Sequence, residues 1–269
     1  MTNLLRLDHS PLFVIGGPCV IESTELCLLI ARRLKDACEK LGLSYVFKAS
    51  FDKANRSSNS SFRGPGLTDG LIVLEHVRQE IGVPVLTDVH ETDQVPVAAK
   101  VVDILQVPAF LARQTDLLVA CGQSGRAVNI KKGQFMSPHE MGNAAEKVRA
   151  TGGRQILLTE RGTFFGYNRL VNDFTGLAVM KQFGCPVVFD ITHSTQQPGG
   201  LGHASGGNPQ FSPLLARAAV AAGVDGLFLE CHPDPTNAKS DASTMLQLEE
   251  VEPLLAQVRK IAELRQGWK

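Results

Sequence analysis

Two sets of side chains in this sequence have the types that chemistry needs. The first is cationic: Lys48, Lys53, Lys131 and Arg161, with Gln106 beside them. Arginine offers a planar bidentate donor fork and lysine a point charge, so together they suit anionic oxygens. Four cations brought into one mouth repel one another unless a polyanion lies between them. Phosphate plus carboxylate is the natural guest. The plain alternative for each lysine alone is a solvated surface amine. A lysine in an apolar setting can also act as an amine nucleophile, so a Schiff-base reading of Lys131 stays open. The second set is Cys19, His193, Glu230 and Asp241. Thiolate, imidazole and carboxylate suit a borderline divalent ion such as Zn²⁺, Fe²⁺, Mn²⁺ or Co²⁺. Their spacing carries no local metal signature. Cys19 as a small buried residue, His193 as a rim hydrogen bonder and Asp241 as a helix N-cap are the plain alternatives.

The stretch Phe47–Gly66, FKASFDKANRSSNSSFRGPG, brings part of the first set together. Lys48, Lys53, Arg56 and Arg63 stand against Asp52 alone, and almost nothing in it asks to be buried. Asn55, Ser57, Ser58 and Asn59 add short hydrogen-bonding groups. A loop this long in a compact domain is functional or disordered. A second long segment, residues 194–213, is rich in Gly and Pro and follows His193 directly. It reads either as a mobile lid that excludes water or as a disordered surface loop.

Something must hold these residues together, and the chain shows a regular alternation. Apolar runs predict strands at Leu12–Ile15, Tyr45–Phe47, Val83–Leu86, Val102–Leu105, Ala127–Ile130, Gln155–Leu158, Val187–Phe189 and Gly226–Leu229. Their near-continuous apolarity suits parallel strands covered on both faces. Helical spacing lies between them. Ser23-Thr24 precedes a stripe of Leu26, Leu29, Ile30, Leu34, Ala37 and Leu41 that stops at Gly42. Ser137-Pro138-His139-Glu140 is a capping box with proline at the first helical position. Ser212-Pro213 opens another helix that Gly223 closes, and Pro253 predicts a break in the last one. Eight strand–helix units predict a single (β/α)8 TIM barrel domain over residues 1–269. A doubly wound sheet is the runner-up, but no GxGxxG follows an early strand. In a barrel, chemistry sits at the C-terminal strand ends. Each predicted strand runs into polar or reactive residues there: Cys19, Lys48 and Ser50, Asp88 and His90, Gln106, Lys131-Lys132, Glu160-Arg161, Asp190 and His193, and Glu230-Cys231-His232.

The 269 residues are 43% hydrophobic and carry no formal net charge. That balance gives no electrostatic case for nucleic acid or a membrane surface. No apolar run nears the length of a membrane span, and the N-terminus lacks the pattern of a signal peptide. Six scattered cysteines without a CxxC pair suggest reduced thiols in the cytoplasm.

The segments FKASFDKANRSS, TDVHE, QVPAFLARQTDL, VNIKKGQFMSP, LLTERG, FDITHS and FLECHPDP together resemble the 3-deoxy-D-manno-octulosonate 8-phosphate synthases, from about Gly16 to Asp241. KANRSS separates them from the related heptulosonate phosphate synthases, which carry a KPRTS-type segment there. The resemblance implies a (β/α)8 barrel, a homotetramer, and condensation of phosphoenolpyruvate with arabinose 5-phosphate on the route to lipopolysaccharide. It implies that Lys53, Lys131, Arg161 and Gln106 hold phosphoenolpyruvate. Lys48, Ser50, Asn55 and Asp88 would hold the sugar phosphate. Arg56 and Ser57 match a phosphate clamp at a subunit interface, and Phe110 a residue reaching in from a neighbour. Lys131, Arg161, Asp88 and His193 are the expected catalytic groups. The family has a metal-free branch with Asn in place of the cysteine. Cys19, with His193, Glu230 and Asp241, implies the branch that needs a divalent metal ion. A synthase using another aldose phosphate, a Schiff-base aldolase and a non-catalytic sugar-phosphate binding protein are the alternatives.

Overall fold

Apolar runs of four or five residues separated by amphipathic segments can bury both faces of a strand only inside a shell of helices. The computed structural model, which describes residues 10–56, 58, 60–199 and 206–268, has that arrangement. Its barrel strands are β1 (Phe13–Gly17), β2 (Ser44–Lys48), β3 (Val85–Asp88), β4 (Ile104–Val107), β5 (Ala127–Lys131), β6 (Ile156–Glu160), β7 (Val187–Asp190) and β8 (Gly226–His232). All neighbours pair in parallel, and β1 pairs with β8 to close the ring, from Phe13 opposite Gly226 to Gly17 opposite Glu230. The fold is the predicted (β/α)8 barrel.

Strand alternation divides the apolar residues into two cores. Phe13, Ile15, Val46, Leu86, Ile104, Ala127, Leu157, Val188 and Phe228 fill the barrel interior. Residues of the opposite parity, among them Val14, Phe47, Val85, Leu105 and Val128, pack outward against the helices. Burying each such side chain contributes about 1.5–3 kcal/mol. The interior packing makes a dry floor beneath the polar strand ends.

Most strands run past their predicted ends. The prediction stopped at the last apolar residue, whereas the ladders continue through Lys48, Asp88, Gln106, Lys131, Glu160, Asp190 and Glu230. Backbone pairing is indifferent to side-chain polarity once those side chains find partners inside the barrel. Helix α1 (Thr24–Lys40) begins as expected, with Ser23 Oγ accepting the Leu26 N–H at 3.1 Å. Its buried face is rotated from the predicted stripe. Cys27, Ile30, Ala31, Leu34, Ala37 and Cys38 are buried, while Leu29 is 47% exposed. Small side chains at Cys27, Ala31 and Cys38 leave the helix free to lie close to the barrel. Glu140 accepts the Ser137 N–H at 2.9 Å, the return half of the predicted capping box. The helix Ser212–Ala222 ends at Gly223, whose φ of 104° needs a glycine. The last helix, Leu248–Arg265, is not broken at Pro253. The ring projects to solvent, where water can satisfy the one freed carbonyl, and buried Val251, Leu254 and Leu255 hold the helix on both sides. An antiparallel hairpin, Thr163–Gly166 with Arg169–Val171, follows β6 and has no counterpart in the predicted elements. Residues 200–205 of the expected lid lie outside the described residues. On either side of them, Gln196–Gln197 pairs with Gly206–Gly207.

Gly17, at the end of β1, shows how tightly the rim is drawn. A Cβ there would lie 2.0 Å from the Lys48 backbone oxygen. Gly17→Ala is expected to prise β1 from β2 and lower the unfolding free energy by about 1–3 kcal/mol, the usual cost of overpacking. Denaturant titration reads this directly, and an unchanged midpoint would show that the rim yields.

Candidate functional site

The turn Gly16-Gly17-Pro18 delivers Cys19 to the barrel mouth from β1. The closed ring sets it beside β8, which supplies Glu230. Cys19 Sγ lies 3.1 Å from Asp241 Oδ2 and 3.0 Å from Ser240 Oγ. Donor atoms of Cys19, Glu230 and Asp241 all fall within 4.8 Å of one another. His193 adjoins this group, with Nε2 at 3.5 Å from both Glu230 Oε2 and Asp241 Oδ2. Its Nδ1 faces Asp190 Oδ2 at 2.7 Å, a third carboxylate that fixes the ring and leaves Nε2 for the cluster. Glu230 is divided in the same way. Oε1 receives Lys48 Nζ at 2.6 Å, while Oε2 is buried without a hydrogen-bond partner among the described residues. Asp241 reaches the cluster from a left-handed backbone, φ 47°, a conformation that aspartate tolerates better than most non-glycine residues.

The electrostatics favour a cation. Burial pushes the Cys19 thiol well above its ordinary value, and Asp241 and Glu230 push it further. Burial alone would raise Glu230, but Lys48, His193 and Lys53 outweigh it and hold the carboxyl at about 2. Burial would likewise lower His193, yet Asp190 leaves it raised. A thiol, an imidazole and two carboxylates around an orphaned buried oxygen fit a borderline divalent ion.

The cationic set is arranged less simply than the sequence implied. Lys48 is neutralised by Glu230 and also donates to the Cys19 carbonyl at 2.8 Å. Lys131 meets Asp190 at 2.5 Å, with Nζ 3.7 Å from the centre of the Phe228 ring. These two cations therefore do not need a polyanion to stay apart, because burial had already required each to have a partner. The capacity for an added anion lies elsewhere. Arg161 Nη2 donates to Gln196 at 2.6 Å, but Nη1 is buried and has no partner among the described residues. Lys53 keeps its charge against burial through Cys19, Glu230, Asp88 and Asp241. Lys132 points to the other face of β5, toward Thr163 at 3.0 Å and Glu160 at 3.6 Å, so strand alternation excludes it from the mouth.

A polar girdle crosses the strands below. Thr159 donates to Asn129 at 2.6 Å, Asn129 to Gln106 at 2.8 Å, Gln106 to Asp88, and Ser50 to the other oxygen of Asp88. Burial would raise Asp88, but Lys48 and Lys53 carry it well below the carboxylate range.

Above the girdle opens a cavity of about 520 Å³. Lys48, Lys53, Asn55, Arg56, Asp88, Gln106, Phe110, Lys131, Arg161, His193, Glu230 and Asp241 all line it. Cys19 and Ser50 are buried behind lining residues, against Asp241 and Asp88 respectively, and Ser57 lies outside the described residues. Phe110, half exposed on the turn after β4, stands at the rim of its own chain's cavity. The basic stretch is more structured than its composition implied. Phe47, Ala49 and Phe51 are buried, Arg63 is spent on Asp52 at 2.5 Å, and the Lys53 N–H closes on the Arg63 carbonyl at 2.7 Å. Arg56 donates to the carbonyls of Phe62 at 3.1 Å and Lys239 at 2.9 Å. The sequence reading did not single out Asp190, His90, Gln134, Gln196 or Lys239. Asp190 and His90 stood among the strand ends, but nothing local marks a carboxylate that serves two cations. Gln134, Gln196 and Lys239 carried no signal.

The DAHP synthetase I family model matches residues 5–266. Relatives named 2-dehydro-3-deoxyphosphooctonate aldolase match nearly the whole chain, among them the following three. The protein of Thioalkalivibrio sulfidiphilus is 56% identical over 258 residues, 96% of this chain and 92% of its own. That of Syntrophotalea carbinolica is 56% identical over 259 residues, 96% and 94% of the two chains. That of a Cyanothece species is 54% identical over 254 residues, 94% and 93%.

Co²⁺ titrated into chelator-treated protein is expected to give the near-ultraviolet charge-transfer absorption of a thiolate–cobalt bond. Cys19→Ser should abolish the band and weaken Co²⁺ binding at least tenfold, since a thiolate is the softest donor in the set. A band that survives the substitution would assign the thiolate to another cysteine.

Proposed function

We propose that this chain, which belongs to the DAHP synthetase I family, condenses phosphoenolpyruvate with D-arabinose 5-phosphate and water to give 3-deoxy-D-manno-octulosonate 8-phosphate and inorganic phosphate. Its relatives' name specifies a phosphorylated eight-carbon 2-oxo acid. Cut at its aldol bond, such an acid leaves a three-carbon enol unit and a five-carbon aldose phosphate. The observation that carries the reading is a single cavity at the strand ends lined both by Arg161, whose buried Nη1 has no partner among the described residues, and by His193, Glu230 and Asp241, with buried Cys19 against Asp241. One half suits a phosphorylated carboxylate and the other an aldehyde or water.

In this reading Arg161, Lys53 and Lys131, with Gln106, hold the carboxylate and phosphate of phosphoenolpyruvate and balance the charge that develops there. Lys48, Ser50, Asn55 and Asp88 align the aldose, and Arg56 with Ser57 takes its terminal phosphate. Held face to face, the two substrates react as if in one molecule. The methylene carbon of the enol bonds to the aldehyde carbon, and the aldehyde oxygen gains a proton. Water adds to the carbon bearing phosphate and loses a proton. The hemiketal phosphate then expels phosphate and leaves the 2-oxo group. The dry floor under Lys131 and Phe228 keeps these charges poorly screened, which strengthens each interaction. A divalent ion held by Cys19, His193, Glu230 and Asp241 supplies Lewis acidity toward the aldehyde or toward water. Among the described residues, no helix is long and apolar enough to cross a membrane. We take the working unit to be a cytoplasmic homotetramer in which Phe110 reaches toward a neighbouring subunit.

Phosphate release from phosphoenolpyruvate should be fastest with arabinose 5-phosphate among a panel of aldose phosphates. Borohydride added during turnover should trap no lysine adduct. A better four-carbon partner, or a trapped adduct on Lys131, would overturn the assignment. Arg161→Met should lower kcat/KM for phosphoenolpyruvate by at least 100-fold, on the scale of losing one charge-assisted contact.

A further inference from the structure

Asp241 has an unusual problem among the four donors. His193 and Glu230 sit at or beside barrel strands, and Cys19 follows a tight turn from one. Asp241 lies in the loop after β8, eleven residues beyond Glu230, with a left-handed backbone. Within the loop its carbonyl accepts the Thr244 N–H at 2.9 Å, and contacts from outside the loop bear on the residues before it. The residue two positions earlier, Lys239, is gripped on both sides. Its N–H is accepted by Glu22 Oε1 at 2.9 Å. Its carbonyl accepts from Arg56 Nη2 at 2.9 Å.

The two grips differ in stiffness. Arg56 is part-buried and, among the described residues, its guanidinium donates to the backbone carbonyls of Phe62 and Lys239. Glu22 is 11% exposed and stands on a braced stub of chain. The Ile21 N–H bonds to the Ser50 carbonyl at 3.0 Å, and Val20 forms an isolated parallel bridge with Ser50. The next residue, Ser23, caps α1. His232 Nε2 stands 3.9 Å from the same Glu22 oxygen. Glu22 is therefore a fixed acceptor, tied to the end of β2 and to α1, that reaches across to the β8 loop.

We propose that Glu22 is a positioning residue for Asp241, holding the Lys239–Asp241 segment in register with Cys19, His193 and Glu230 through its hydrogen bond to the Lys239 N–H. Glu22 touches neither substrate nor the ion in this scheme. The proposal rests on the reading of the four donors as an ion site. It makes that site depend on a contact between the first and last loops of the barrel that the four donors themselves do not include.

The test is Co²⁺ titration of chelator-treated wild type, Glu22→Ala and Glu22→Gln, with unfolding midpoints measured in parallel. Glutamine keeps an acceptor oxygen and loses only the charge. Glu22→Ala should bind Co²⁺ about tenfold more weakly, as supporting residues around metal sites do. It should keep the thiolate charge-transfer band, since Cys19 is untouched, and should shift the ligand-field bands that report Asp241. Glu22→Gln should restore wild-type affinity and spectrum. Alanine with unchanged affinity and bands would overturn the proposal. Glutamine as impaired as alanine would overturn it too, making the carboxylate charge toward His232 the operative feature. Wild-type protein that takes up no Co²⁺ would overturn the ion site itself, and this inference with it.

Discussion

Lys48 and Glu230 meet at 2.6 Å with almost no surface left to water. Two charges that deep are tolerable only as a pair, and removing either strands the other at a cost of about 3–5 kcal/mol. The pair does more than cancel charge. Lys48 comes from β2 and Glu230 from β8, with β1 between them, and the same ammonium takes the carbonyl of Cys19 just past β1. One buried cation thus ties together three consecutive strand ends. It also decides what is left over. By occupying Oε1 it turns the free Oε2 toward Asp241 and His193. A rim without a side chain at Gly17 is what lets Lys48 come so near.

Lys131 and Asp190 repeat the device on the other side, and Asp190 also holds His193. Each of these two lysines is matched to a carboxylate that also belongs to, or orients a member of, the Cys19–His193–Glu230–Asp241 group. The barrel is therefore near neutral within its walls yet polarised across its mouth. The apolar layer below, closed by Phe13 and Phe228, keeps solvent from screening that polarity.

The architecture was legible because both strand faces are apolar, so eight runs stood out without any alignment. Their ends were misjudged for the reason that makes the site. Lys48, Asp88, Lys131, Asp190 and Glu230 are strand residues carrying polar groups into a covered interior, and periodicity reads them as loop. The rotated face of α1 and the unbroken helix at Pro253 were decided by packing partners that local spacing does not contain. The site residues were legible from their position at strand ends, sharpened by a family resemblance. Their pairings were not. Lys48 and Glu230 lie 182 residues apart and Lys131 and Asp190 59 apart. Lys131 and Lys132, adjacent and identical in type, differ only through the parity of β5. Glu22 and Lys239 carry no signal at all without the fold, since their link passes through a backbone N–H.

Ring closure between β1 and β8 sets a further condition on how the protein comes into being. Cys19 and Asp241 touch across 222 residues of chain. The ribosome releases the thiol early and the carboxylates of Glu230 and Asp241 near the end. A nascent chain offers a lone soft donor for most of its synthesis, which holds an ion poorly. The full set of donors comes together only when the last strand docks on the first. An ion taken up there would be reserved for finished barrels, and its binding energy would fall on a contact that spans most of the chain, which entropy makes hard to form.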